Sequence, residues 1–163
     1  MVRLLGAAMI IAAGTTMGLM PLIREKSRLR LLYELRALAG DIKTNIRYLR
    51  LPLFEIIERS AQKENCGRFT AACDRYCRTE DDFYSAWQKA CGEFLDKRDL
   101  QLAEALGEKL GKSDADGQEE CLDFFLAEIE EKIKQAKQNA DYCKRVKLSL
   151  YCCGSLAAVL IFI

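Results

Sequence analysis

"GEKLGKSD", Gly107 to Asp114, is the stretch on which the fold turns. It comes close to the phosphate-cradling loop G-x-x-x-x-G-K-[ST], which would place a strand before it and a nucleotide on it. The spacing is wrong. Only three residues separate Gly107 from Gly111, where the loop needs four. The residues before it, "DLQLAEALGEKL", repeat their apolar positions with the period of a helix, and no apolar strand ending in Asp appears elsewhere. The stretch therefore reads as a corner between two helices. Gly111 follows the last apolar residue, Leu110, where a helix commonly ends in a left-handed residue. Ser113 can cap the next helix with Asp116 reaching back, and Asp114 is an alternative cap. Gln118 lies four residues before Leu122 and points along the apolar face, so it must find backbone partners in a neighbouring turn.

Helical periodicity extends outward in both directions. Leu32, Leu35, Ala39, Ile42, Ile46 and Leu49 step by 3, 4, 3, 4, 3, as do Leu126, Ile129, Ile133, Ala136, Ala140 and Cys143. Between these stripes the spacing predicts four shorter helices. Pro52 fits the first turn of "PLFEIIERSAQ", followed by Leu53, and "RFTAACDRYC" forms another. Asp81 or Asp82 caps a helix that turns Phe83, Trp87 and Ala90 to one side. One from about Asp99 turns Leu102, Ala103, Leu106 and Leu110 inward. Pro52, Leu53 and Trp87 are expected to pack. No stretch alternates long enough to make a strand. The fold class is all-α, a helical bundle with long first and last helices.

The two ends differ from the middle. Residues 4–23, "LLGAAMIIAAGTTMGLMPLI", carry no charge over a length of ~30 Å, the hydrocarbon thickness of a bilayer. Residues 148–163, "LSLYCCGSLAAVLIFI", are equally uncharged and follow "KRVK", whose long side chains can snorkel to the interface. The expected division is an N-terminal anchor, 1–23, a polar helical domain, 24–147, and a C-terminal anchor, 148–163. A cleaved signal peptide is disfavoured by the length of the first apolar run and by the presence of the second. Arg24, Lys26, Arg28 and Arg30 follow the first segment and "KRVK" precedes the second, so the positive-inside rule puts 24–147 in the cytoplasm. The two stripes are expected to meet as a short antiparallel coiled coil, with Ala39, Ala136 and Ala140 allowing close approach.

Charge and composition exclude several functions. Of 25 basic residues all but Arg3 lie in 24–147, where they balance the 24 acidic ones, so no attraction to nucleic acid follows. There is no histidine, which removes the commonest general base and zinc ligand. The 8 cysteines read as reduced, buried thiols; Cys66, Cys73, Cys77 and Cys91 match no compact zinc module. No motif for a catalytic residue, metal or cofactor is present, and the chain is expected not to be an enzyme.

"LGKSDADGQ", Leu110 to Gln118, resembles the Leu-Gly-x-Ser-Asp…Gln signature of the stage III sporulation protein AB family. The order of features over nearly the whole chain is similar too. An apolar N-terminus leads into a Leu- and Arg-rich helix, then come Pro52-Leu53, Ala86-Trp87, the corner, a long charged helix and an apolar C-terminus with a glycine. The eight cysteines are not part of that family's pattern. The resemblance implies a membrane subunit of the sporulation-specific complex that links mother cell and forespore. It also implies similarity to the cytoplasmic helical domains of type II secretion and type IV pilus inner-membrane platform proteins. On that basis the chain would sit in the mother-cell membrane facing the forespore. It would hold a secretion-type ATPase and sister membrane subunits together, with homo-oligomerisation left open. The corner, Leu110, Gly111, Ser113, Asp114 and Gln118, would be a partner interface as well as a structural device. Two other readings compete: a membrane-tethered redox or sensory protein using Cys73 and Cys77, and a secreted, disulfide-linked domain.

Overall fold

The computed structural model describes the backbone of residues 2–110 and 115–162, and the side chains of residues 23–110, 117–142, 144–146 and 154. The helices are α1 (Val2–Leu49), α2 (Leu53–Ala61), α3 (Arg68–Cys77), α4 (Phe83–Phe94), α5 (Lys97–Leu110) and α6 (Ala115–Phe162), and no strand occurs among the described residues. α1 and α6 each run 48 residues without a break. Each apolar end is therefore one continuous helix with its charged neighbour. The chain forms two compact units: Met1–Leu29 with Lys134–Ile163, and Arg30–Ile133. Among the described residues no helix is long and apolar enough to cross a membrane. The expected anchors lie outside the described side chains, except for Ile23 and Gly154.

Within Arg30–Ile133, α1 buries Leu32, Leu35, Ala39, Ile42 and Ile46 as the 3-4 spacing requires. Leu38 joins them and widens the stripe. Leu49 does not; it is 57% exposed at the end of the helix. Arg50 ends α1 with φ 48°, a left-handed conformation more often given to glycine. α6 buries Leu122, Phe125, Ile129 and Ile133, while Leu126 is half-buried.

The two long helices are tied in reverse order. Arg36 pairs with Glu130 at 2.8 Å, Lys43 with Asp123, and Arg47 with Glu119 at 3.2 Å. As α1 advances by seven and then four residues, α6 retreats by seven and then four. Only one antiparallel register satisfies all three pairs. α1 carries the opposite charge on a second flank. Glu34 and Asp41, also seven residues apart, reach α3 and the α2–α3 turn. Glu34 Oε1 accepts from the Thr70 N–H at 2.8 Å and from the Thr70 hydroxyl at 3.2 Å. It thus caps α3, whose own N-cap, Gly67, has no side chain to do so. Asp41 accepts from Lys63 and Ser60.

α2 packs on α3, α3 on α4 and α4 on α5. Their shared core is a chain of rings. Phe54 meets Phe83 edge-on at 6.3 Å, Phe83 stacks on Trp87 at 5.8 Å, Phe69 meets Trp87 edge-on at 5.5 Å, and Phe94 meets Phe69 edge-on at 6.2 Å. Such pairs add about 0.5–1.5 kcal/mol each to what burial gives. Asp82, not Asp81, caps α4, accepting the Ser85 N–H at 2.9 Å. The Ser85 hydroxyl, and then its N–H, hold the Asp82 carboxyl below its ordinary range. The cap's contribution is present at neutral pH and is lost as pH falls through that lowered value. Pro52 is the N-cap of α2, with φ −60° and ψ 145°, and not a residue of its first turn as expected. It is exposed, and its extended ψ keeps it outside the helix while its carbonyl accepts from Ile56.

Two glycine substitutions should move stability in opposite directions. A Cβ on Gly107 would stand 2.3 Å from Trp87 Cδ1, and the indole cannot retreat because Nε1 donates to the Ala103 carbonyl at 2.7 Å. Gly107→Ala should destabilise the full chain by about 1–3 kcal/mol. Gly40, in the middle of α1 with nothing within 4 Å of an added Cβ, should gain up to about 1 kcal/mol as alanine. Denaturant unfolding of both variants measures the contrast.

Candidate functional site

The corner can be followed from its described sides. Gly111, Ser113 and Asp114 lie outside the described residues; Leu110 and Gln118 do not. Leu110 closes α5, fully buried, with a carbonyl that has no further helical turn to receive it. Gln118 Nε2 donates to that carbonyl at 2.5 Å. A side chain in the first turns of α6 thereby takes up an orphan group of α5. The P-loop resemblance dissolves at the same place. Gly107 sits inside α5, and the space its missing Cβ leaves is filled by the Trp87 indole. From Trp87 to Ala103 to Leu110 to Gln118, hydrogen bonds and contact join α4, α5 and α6.

A second tie was not legible from the apolar pattern. Asp99, in the first turn of α5, is 3% exposed and receives Lys132 of α6 at 3.3 Å. Lys132 also donates to the Arg98 carbonyl at 2.7 Å. Asp99 takes an inward position in α5, while Leu102, expected there, is half-buried.

The described surface has a feature of a size to receive another molecule's side chains. A cleft of about 370 Å³ opens where Pro52, Phe54, Glu55 and Glu58 face Asp74, Cys77 and Arg78. Its three carboxylates outnumber its one guanidinium. Arg78 bridges Glu58 at 3.1 Å and Asp74 at 3.0 Å, holding α2 against α3. Phe54 is 37% exposed at its edge, and Tyr48 and Leu49, just upstream in the chain, are more exposed still. Of the residues expected to pack, Trp87 is 1% exposed, Leu53 half-buried, and Pro52 is at the cleft.

Cys66, Cys73, Cys77, Cys91 and Cys121 are free thiols. Burial, then the neighbouring Cys91 and Cys77 sulfurs and Glu34, push Cys73 far up. Burial and then Asp74 push Cys77 up to about 11. Burial and then Glu104 raise Cys91. The attacking and metal-binding form of cysteine is the thiolate, and these surroundings suppress it. Among the described residues no three His, Cys, Asp or Glu side chains gather as a metal site would require.

The molecule is thus a helical bundle protein in which two long helices, antiparallel through Arg30–Ile133, carry four short ones with an acid-lined cleft among them. The family model for stage III sporulation protein AB matches residues 3–163, and the chain belongs to that family. Comparison with curated proteins and with solved structures found no match in either.

Two measurements follow from this geometry. Gln118→Ala should cost about 1 kcal/mol in unfolding, because it leaves the Leu110 carbonyl without its donor. Alkylation of Cys77 at pH 8 should run about a hundredfold slower in the folded chain than in the unfolded one, since the folded thiolate fraction is smaller by that factor. Equal rates would show that the thiol ionises freely.

Proposed function

We propose that this chain is a non-catalytic membrane platform in the secretion-like complex between mother cell and forespore. Residues 4–23 and 148–163 anchor it in the mother-cell membrane facing the forespore, and 24–147 lie in the cytoplasm. The charged helices offer surface to a secretion-type ATPase and to sister membrane subunits. The observation that carries this reading is the division of the chain. Both uncharged ends belong to one compact unit, together with the basic residues that flank them, and Arg30–Ile133, with 16 basic and 22 acidic residues, forms the other. Two anchors in one unit require the chain to leave and re-enter the bilayer from the same side. The basic flanks at 24–30 and 144–147 choose the cytoplasmic side. Membership of a sporulation family supplies the cellular setting. The corner from Leu110 to Gln118 and the cleft of Glu55, Glu58 and Asp74 are the surfaces on which partners would register.

The redox reading has less support, because burial and neighbouring negative charge hold Cys73 and Cys77 in the unreactive form. A scaffold needs its thiols only as small apolar fillers.

The decisive experiment is cross-linking in sporulating cells from photo-reactive residues placed in turn near Asp114 and in the α2–α3 cleft. Recovery of a secretion-type ATPase or a sister subunit is expected. Its absence from every position tried would remove the platform function. Membrane-impermeant thiol labelling tests the orientation independently: Cys66 and Cys121 should react only after the cells are permeabilised.

A further inference from the structure

The described isoleucines of the two units are treated differently. Ile42, Ile46, Ile56, Ile57, Ile129 and Ile133 are all buried, at 6% exposure or less. Ile23 is 61% exposed. In the same unit Tyr142 is 69% and Val146 41% exposed. Lone exposed apolar residues are ordinary. These three lie next to the uncharged ends of the chain, beside Arg24, Lys26, Lys144 and Arg145, all exposed.

The cations are unusual in a second way. In the other unit most of the described basic side chains are held by carboxylates, as with Arg36 on Glu130, Arg75 on Glu93 and Lys89 on Glu80. Among the described residues Arg24, Lys26, Lys144 and Arg145 have no carboxylate partner. The one acid between the first of these cations, Glu25, pairs with Arg28 at 3.7 Å. The collar therefore combines unneutralised cations with an isoleucine, a valine and a tyrosine, all facing outward.

We propose that this collar binds the headgroups of anionic phospholipids, the cations meeting phosphate while Ile23, Val146 and the Tyr142 ring enter the glycerol and upper acyl region. Rings with a polar tip and long cations that snorkel are the side chains suited to that layer. A cluster of basic residues beside a membrane segment attracts anionic lipid. Free phosphate would satisfy the charges and leave the apolar side chains in water, so the lipid accounts for both observations. The proposal rests on the anchored reading above and adds a lipid preference to it.

The test uses the full chain reconstituted in phosphatidylcholine vesicles with a trace of spin-labelled phosphatidylglycerol or, separately, spin-labelled phosphatidylcholine. The motionally restricted fraction of each label reports its association with the protein. The phosphatidylglycerol label should associate about threefold or more strongly at low salt, and the preference should fall towards parity in ~1 M salt. Replacing all four cations (Arg24→Gln, Lys26→Gln, Lys144→Gln and Arg145→Gln) should bring the labels to parity with helix content unchanged. Inorganic phosphate should reduce the preference no more than chloride of equal ionic strength. Equal association of both labels with the unaltered chain would overturn the headgroup proposal and leave anchoring intact. Specific displacement by inorganic phosphate would also overturn it, in favour of a free-anion site. No restricted signal from either label would mean that the chain is not inserted, and the anchored reading would fail together with this one.

Discussion

Arg36, Lys43 and Arg47 of α1 meet Glu130, Asp123 and Glu119 of α6, and the rest of the described bundle is arranged around that register. The three pairs are largely solvent-exposed, and such pairs contribute only about 0.2–1 kcal/mol each. They do not hold the helices together. That is done by the buried stripes, where each fully buried Leu, Ile or Phe contributes about 1.5–3 kcal/mol. Apolar stripes, however, are tolerant of sliding and of direction. Charges placed in mirrored order along the flanks penalise a parallel arrangement or a slipped one, so the weak interaction decides the geometry and the strong one decides the stability.

The other flank of α1 has the opposite sign and a different task. Glu34 and Asp41 hold the short helices, Glu34 by capping α3 through Thr70 and Asp41 through Lys63. Gly67 makes this possible: a Cβ there would stand 1.8 Å from the Glu34 carboxyl carbon. From α6, Lys132 reaches the buried Asp99 of α5, and Gln118 takes the last carbonyl of the same helix. The N-terminus of α3 and the last carbonyl of α5 are thus served by the long helices. The short helices then contribute what long ones cannot, a compact aromatic core and a concave surface between α2 and α3.

That arrangement suits the proposed platform role. The cleft carries partly exposed aromatic and charged groups on short helices whose ends are fixed from outside. Cysteines line part of this region, yet burial keeps their chemistry quiet.

The amino-acid sequence alone determined the helical class, the two long stripes, the cap at Asp82 or its neighbour, the demand of Gln118 for a backbone partner and the family. These depend on local spacing and on residue type, which act over one or two turns. Tertiary structure decided which residues share a site. Leu38 lies beside the expected stripe and was claimed by a core wide enough to take it; Asp99 and Glu34 found partners more than thirty residues away. Spacing alone denied Gly107 a phosphate loop, but only Trp87, twenty residues earlier, explains the glycine, because the indole fills the space where a Cβ would stand. The mirrored charges on α1 and α6 were present in the sequence as a pattern, but a pattern of charges has meaning only once two helices lie side by side. Contacts between distant residues depend on packing, and packing is a property of the whole chain.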